Sequence, residues 1–238
     1  YDKIPVTLMR GETTQGGFSD KQKSERQTGA LLRGMGYSEI ITYSFISPSY
    51  YDKIRLPADS ALRRSVTILN PLGEDTSVMR TTALPSMLET LARNYSYRNK
   101  AARLYEIATV YHPVDGQDLA EERPMLSLGA YGGDADFFAL KGVVEAVLAA
   151  MNVRNVRFES RSGIPAFHPG RCARVTAGGV ELGVLGQLHP LTAQNYNMDC
   201  DVFAAQLDFL ALLEQRAGEA RYEPLPRFPS VTRDIAVV

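Results

Sequence analysis

Glu106 is the residue of this 238-residue chain whose surroundings most restrict its chemistry. It lies within Arg103-Leu-Tyr-Glu-Ile-Ala-Thr-Val-Tyr111, whose β-branched and aromatic make-up predicts a strand. Alternation puts Leu104, Glu106, Ala108 and Val110 on one face and Tyr105, Ile107, Thr109 and Tyr111 on the other. Both faces are apolar enough to be covered, so the strand is expected to be central and Glu106 to have no route to water. An ionised carboxylate in that place needs a cation or several donors, because burying it unpaired is too costly. On an edge strand it would reach solvent instead.

The other chemistry-bearing residues read more simply. His112 and His189 precede prolines, and His168 stands in His168-Pro-Gly-Arg171 with only Cys172 close by, so converging metal ligands are not expected and His168 reads as a turn residue whose ring bonds the backbone. Cys172 with His168 as base would need a helix to bring i and i+4 together, and Pro169-Gly170 excludes one, leaving Cys172 as core. Arg93, Arg98, Lys100 and Arg103 interleave with Tyr95 and Tyr97, a pattern that could touch RNA. A solvated helix end carrying cations explains the same residues and is the preferred reading.

Composition sets the frame. A chain of this length buries about 70–75% of its unfolded surface, enough for one large α+β domain or two small ones. The formal net charge is −1, so no global field draws in nucleic acid. Two cysteines without a CxxC spacing argue against zinc and against a disulfide framework, and imply a reduced, cytoplasmic setting. No apolar run approaches the roughly 18 residues of a membrane span.

Residues 1–18 read as an extended strap, with Pro5 and Gly16-Gly17 denying any period. Ser19 with Gln22 is a capping-box pattern opening a helix to Met35, whose polar first half, Lys21 to Arg26, is either solvated or meets another subunit. Gly34-Met-Gly36 ends it, and Glu39–Phe45 reads as a strand. A short helix after Ser47-Pro48 and a strand at Val66–Pro71 follow. Ser86 with Glu89 gives a second capping box, and Met87, Leu88, Leu91 and Tyr95 recur at helical spacing. Beyond a polar loop at 112–123 come a strand at Met125–Tyr131, a helix from Phe137 to Met151, strands Arg171–Thr176 and Val180–Gly186 around Gly178-Gly179, a strand at Val202–Leu207 and a helix at Phe209–Arg216. The fold class expected is α+β, a mixed and largely antiparallel sheet flanked by helices.

The last residues, Arg227-Phe-Pro-Ser-Val-Thr-Arg-Asp-Ile-Ala-Val-Val238, end inside an apolar run with no partner strand, and Tyr1 is not a starting Met, so the chain reads as an excerpt of a longer protein. Both ends, the Gly34–Phe45 junction, Arg80–Asn94, Arg103–Tyr111 and His168–Arg171 resemble the β subunit of bacterial phenylalanyl-tRNA synthetase. That resemblance implies a class II synthetase-like core at 19–222, a preceding strap, and at 223–238 a linker with the first strand of a ferredoxin-like anticodon-binding domain. It implies that Gly34–Phe45 is the counterpart of motif 1, which builds subunit interfaces, and that Arg80–Tyr111 stands for motif 2. It places Arg80 and Arg171 around a vestigial cleft, making them the candidate partners of Glu106. No Gly-x-Gly-x-x-Arg exists in the chain, the nearest glycines being Gly183 and Gly186, and no long arginine-bearing hairpin follows Arg103 and Glu106. Active class II enzymes hold ATP with such fixed guanidinium forks. The resemblance therefore implies a non-catalytic domain that scaffolds the α subunit of an (αβ)₂ enzyme joining phenylalanine to tRNA(Phe) with ATP and Mg²⁺. The magnesium ligands and the editing domain of the family lie upstream of Tyr1, no ATP or metal is expected on this segment, and no membrane contact is implied. The excerpt alone is expected to expose its interface, which self-association could cover, and its oligomeric state is left open. A stand-alone active ligase and a free-standing binding module are the alternatives, opposed by the missing motif 3 arginine and by the truncated ends.

Overall fold

The structure is a computed structural model that describes residues 2–8, 10–13, 15–218, 222 and 227–236. Its elements in chain order are α1 (Asp20–Gly34), β1 (Ser38–Glu39), β2 (Phe45–Ile46), α2 (Tyr50–Lys53), β3 (Val78–Met79), α3 (Leu84–Ser96), β4 (Ala102–His112), β5 (Glu121–Tyr131), α4 (Phe137–Ala150), β6 (Val156–Ser160), β7 (Phe167–Ala177), β8 (Val180–Leu188), α5 (Pro190–Asn195), β9 (Val202–Asp208) and α6 (Phe209–Glu214). Seven strands form one sheet in the order β1-β4-β5-β9-β8-β7-β6, and β2 pairs with β3 apart from it. Only β1 and β4 run parallel; every other pair is antiparallel. The expected mixed, largely antiparallel α+β architecture is what forms.

Alternation sorts the sheet into two cores. Tyr105, Leu126, Leu128, Leu185, Phe203 and Leu207 face α1, α4 and α6, whose Leu32, Val144, Val147 and Leu212 complete that layer. Leu104, Tyr131, Val202 and Ala204 face the other way, onto Met87, Leu88 and Leu91 of α3 and Ala193 of α5. The close seat of α3 depends on Gly129, where a Cβ would stand 2.7 Å from Leu91 Cδ1. β4 is thus covered on both faces.

The capping box of α1 forms as its sequence predicts: Gln22 N donates to Ser19 Oγ (3.2 Å) and Ser19 N to Gln22 Oε1 (2.9 Å). Its polar first half is not wholly solvated. Ser24 and Thr28 are buried, and Arg216 donates to Ser24 Oγ at 3.0 Å. Ser86 does not cap a helix: α3 starts at Leu84 with Pro85 in its first turn, Ala83 is the N-cap, and Ser86 Oγ is buried without a partner among the described residues. The orientation of the Gln206 amide that satisfies both its ends turns its oxygen to the N–H groups of Ala83 (3.0 Å) and Leu84 (2.9 Å), so the cap comes from β9.

Two expected strands are not ladders. Glu39–Phe45 forms β1 and β2 only at its ends, because the stretch between them has no neighbouring strand to pair with. Val66–Pro71 contributes one bridge, Thr67 to Val78. His168 lies within β7, at a register irregularity between Phe167 and Cys172 rather than in a free turn. β6 and α5 are additions that the sequence reading did not contain. At the C-terminal end, Ile235 and Ala236 are in neither helix nor strand, and Val237 and Val238 lie outside the described residues.

Candidate functional site

Glu106 is 4% exposed and Arg80 is 2% exposed. The Arg80 guanidinium stands 3.5 Å from the Glu106 carboxylate, and Arg80 Nε donates to the carbonyl of Thr109 at 2.9 Å. Thr42 bridges the two: its N–H and hydroxyl donate to Glu106 at 2.9 and 2.8 Å, and its hydroxyl oxygen accepts from Arg80 Nη1 at 2.6 Å. Cation and neutral donors together meet the need of a buried carboxylate. Arg171, the other candidate partner, is elsewhere: it is exposed and donates to Gln187 Oε1 at 2.6 Å, and Gln187 Nε2 in turn donates to Asp201 Oδ1 at 2.7 Å. Sequence reasoning missed Thr42, since nothing local ties residue 42 to residue 106.

Register extends this site into a polar row across the sheet. Glu106 pairs with Ser127, Ser127 with Gln206, Gln206 with Val184, Val184 with Arg174 and Arg174 with Glu159, all on the α3 side. Arg174 sits between Glu159 and Glu181, 3.8 Å from the latter. Gly183, one of the two glycines nearest a motif 3 pattern, is a packing residue. With φ of 152° it would place a Cβ 2.0 Å from the carbonyl of Gln206, so the β9 backbone packs directly against it. The strand-to-helix junction beside the β4–β5 hairpin is β9–α6. There Asp208 caps Ala211 N at 3.0 Å and accepts from Arg123 at 2.6 Å, and Gln206 to Leu210 include neither glycine nor arginine.

Next to the row, the chain between β1 and β2 presents itself outward. Ile41 is 93% exposed and Tyr43, stacked on Phe45 at 4.9 Å, is 73% exposed. The backbone N–H groups of Ile41 and Tyr43 have no partner among the described residues. A groove of about 1130 Å³ runs from these side chains along α3 past the Lys53–Glu89 ion pair to Asn195 and Asn197. Tyr196 borders it with its hydroxyl buried and unpartnered among the described residues, and burial pushes that phenol's pKa up.

The remaining candidates resolve into structural roles. His168 Nδ1 accepts from Gly170 N at 3.1 Å, and His189 Nδ1 accepts from Leu191 N at 3.1 Å as the cap of α5. Burial, then the nearby Arg55 and His168, lower the His189 pKa. Arg103 pairs with Asp134, and among the described residues no cluster of three His, Cys, Asp or Glu could hold a metal. Cys172 is buried, and desolvation pushes its thiol up to about 11. At pH 8 about one thiol in a thousand would be ionised, so native iodoacetamide labelling should leave Cys172 unmodified and only denaturant should expose it. Stoichiometric native labelling, located by peptide mass spectrometry, would count against the core assignment.

Comparison with known proteins agrees with this geometry. Residues 4–209 match the family described as phenylalanyl tRNA synthetase beta chain CLM domain. The phenylalanine–tRNA ligase beta subunit of Clostridium acetobutylicum is 42% identical over the whole chain, and that of Symbiobacterium thermophilum 39%. The chain spans 30% and 28% of those two proteins. Among solved structures, pyrrolysyl-tRNA synthetase from Desulfitobacterium hafniense superimposes with a TM-score of 0.67 at 20% identity, covering 82% of this chain and 68% of its own. That likeness shows a shared class II synthetase-like fold. No helix among the described residues is long and apolar enough to cross a membrane.

Proposed function

The chain belongs to the phenylalanyl-tRNA synthetase β chain family, and we propose that it is a non-catalytic core that scaffolds the α subunit of an (αβ)₂ phenylalanine–tRNA ligase. The observation that carries this reading is the outward Ile41–Tyr43 segment: two large apolar side chains, unpaired backbone donors and an adjoining groove, beside a sheet face on which Arg80 and Arg174 are already matched by carboxylates. An unpaired extended edge with apolar side chains is a place for another chain to add. The α subunit is its occupant, with α1 and the Glu39–Phe45 stretch as the motif 1-like contact. The whole enzyme would use ATP and Mg²⁺ to charge tRNA(Phe) in the cytoplasm, with neither ATP nor metal bound to this segment. We assign residues 1–18 to a strap from a preceding helical domain, 19–222 to the core, and 223–238 to the linker and opening of an anticodon-binding domain.

The test is association. Ile41→Asp puts a carboxylate at the centre of the contact and should weaken binding of the α subunit by about 2 kcal/mol or more, as expected for a central apolar anchor. The folded chain should be little changed, because Ile41 is exposed in it. Without α subunit, the same substitution should suppress concentration-dependent self-association in sedimentation. Undiminished co-purification of the Ile41→Asp chain with α subunit would remove the interface reading.

A further inference from the structure

We infer that Tyr105 and Glu106, successive residues of β4, form a two-sided clamp that holds the Ser38–Ser44 segment in the shape in which it is recognised, making them positioning residues for subunit assembly. This rests on the interface reading above. Successive strand residues point to opposite faces, and here each grips the same segment from its own side. On the α1 side, Tyr105 OH donates to Glu39 Oε2 at 2.9 Å and accepts from Arg33 Nη1 at 2.7 Å. On the α3 side, Glu106 accepts from Thr42 N and Oγ1. Between these grips, Ile40 N donates to the Tyr105 carbonyl at 2.9 Å. Arg80 closes the far end, donating from Nη1 to Thr42 Oγ1 and from its backbone N–H to the Ser44 carbonyl at 2.8 Å.

The need for a clamp follows from what the segment lacks. Beyond Glu39 the parallel pairing of β1 with β4 stops, and β2 begins only at Phe45. Ordinary strands are held by ladder bonds at every second residue. Here one backbone bond at each end and the side chains of Tyr105, Glu106 and Arg80 between them supply the inward bonds, which leaves the outward N–H groups of Ile41 and Tyr43 unused and fixes their side chains outside. An unclamped segment would have to be ordered during binding, and that entropy would weaken association. The arrangement is pre-organisation by a buried polar network.

Thr42→Val keeps shape while removing the hydroxyl that joins Glu106 to Arg80, and Tyr105→Phe loosens the opposite grip without touching the ion pair. In the folded chain, hydrogen exchange of the 38–44 amides should quicken about tenfold in either variant, the scale set by one charge-assisted bond, while β5 and β9 keep their protection. Binding of the α subunit should weaken by a similar factor. Exchange that quickens across the whole sheet together overturns the clamp, because the pair would then act on global stability alone. So does α-subunit association that is lost in Ile41→Asp yet kept in both clamp variants. Association retained in Ile41→Asp itself overturns the interface reading on which the clamp depends.

Discussion

Replacing Glu106 with alanine should destabilise the chain by about 3–5 kcal/mol, the range for breaking a buried ion pair by removing one partner. The loss comes from what remains. Arg80 would stay 2% exposed with its guanidinium missing the only carboxylate within reach among the described residues, and the N–H and hydroxyl of Thr42 would lose their acceptor. The bond from Arg80 Nε to Thr109 survives, so the strand is not freed to let the charge reach water. Urea unfolding monitored by circular dichroism would read the effect as a fall in midpoint at unchanged slope. Removing the stranded charge as well should recover part of the loss: Arg80→Met together with Glu106→Ala should be more stable than the sum of the single changes allows. An alanine variant within about 0.5 kcal/mol of the parent, the behaviour of a surface residue, would overturn the pairing.

The parts of this site that strand period alone fixes were legible in the sequence, and those fixed by tertiary neighbours were not. Alternation along Arg103–Tyr111 suffices to bury Glu106, because a carboxylate among Leu104, Ala108 and Val110 on a doubly covered strand has one destination. The choice between Arg80 and Arg171 is not periodic information. Arg80 reaches Glu106 because the chain from Met79 returns beside the 40–44 segment, with Arg80 N bonded to Ser44 O, a contact between stretches 36 positions apart. The two capping boxes show the same division. Ser19 and Gln22 satisfy one another locally, so the sequence suffices. Ser86 and Glu89 match the pattern equally well, yet α3 begins three residues earlier because Gln206 of β9 serves its first N–H groups and Glu89 turns outward to Lys53. A box competes with whatever the rest of the chain offers. The Glu39–Phe45 strand fails for a third reason. Its composition and alternation are those of a strand, with Thr42 inward and Ile41 and Tyr43 outward, but no neighbour within the described chain completes it. On the proposed function, the missing neighbour belongs to another subunit.

No pyrophosphate exchange into ATP should be detected when the purified chain is given phenylalanine, Mg²⁺ and ATP. Adenylate formation needs fixed cations aimed at the charge that develops on the transferring phosphate, and losing a single such donor typically lowers kcat by about 10²–10³. Several guanidinium groups of this sheet are already paired with carboxylates, whereas Arg171 donates to Gln187 instead. Arg80 is buried against Glu106, Arg174 lies between Glu159 and Glu181, and Arg123 lies between Glu121 at 3.0 Å and Asp208 at 2.6 Å. A triphosphate would have to displace carboxylates that are attached to the same scaffold and pre-oriented, so binding would return little net energy. With two or more donors missing, exchange would fall to about 10⁻⁴ or less of an active synthetase's rate. Freeing an arginine should not restore it. In Glu159→Gln with Glu181→Gln, Arg174 would lose its carboxylate partners, yet β9 would still pack against Gly183 and the β9–α6 junction would still carry Asp208, with neither glycine nor arginine from Gln206 to Leu210. Exchange that scales with the amount of purified chain and saturates with phenylalanine would overturn the non-catalytic reading, and its persistence in Glu106→Ala would locate the activity away from the polar row.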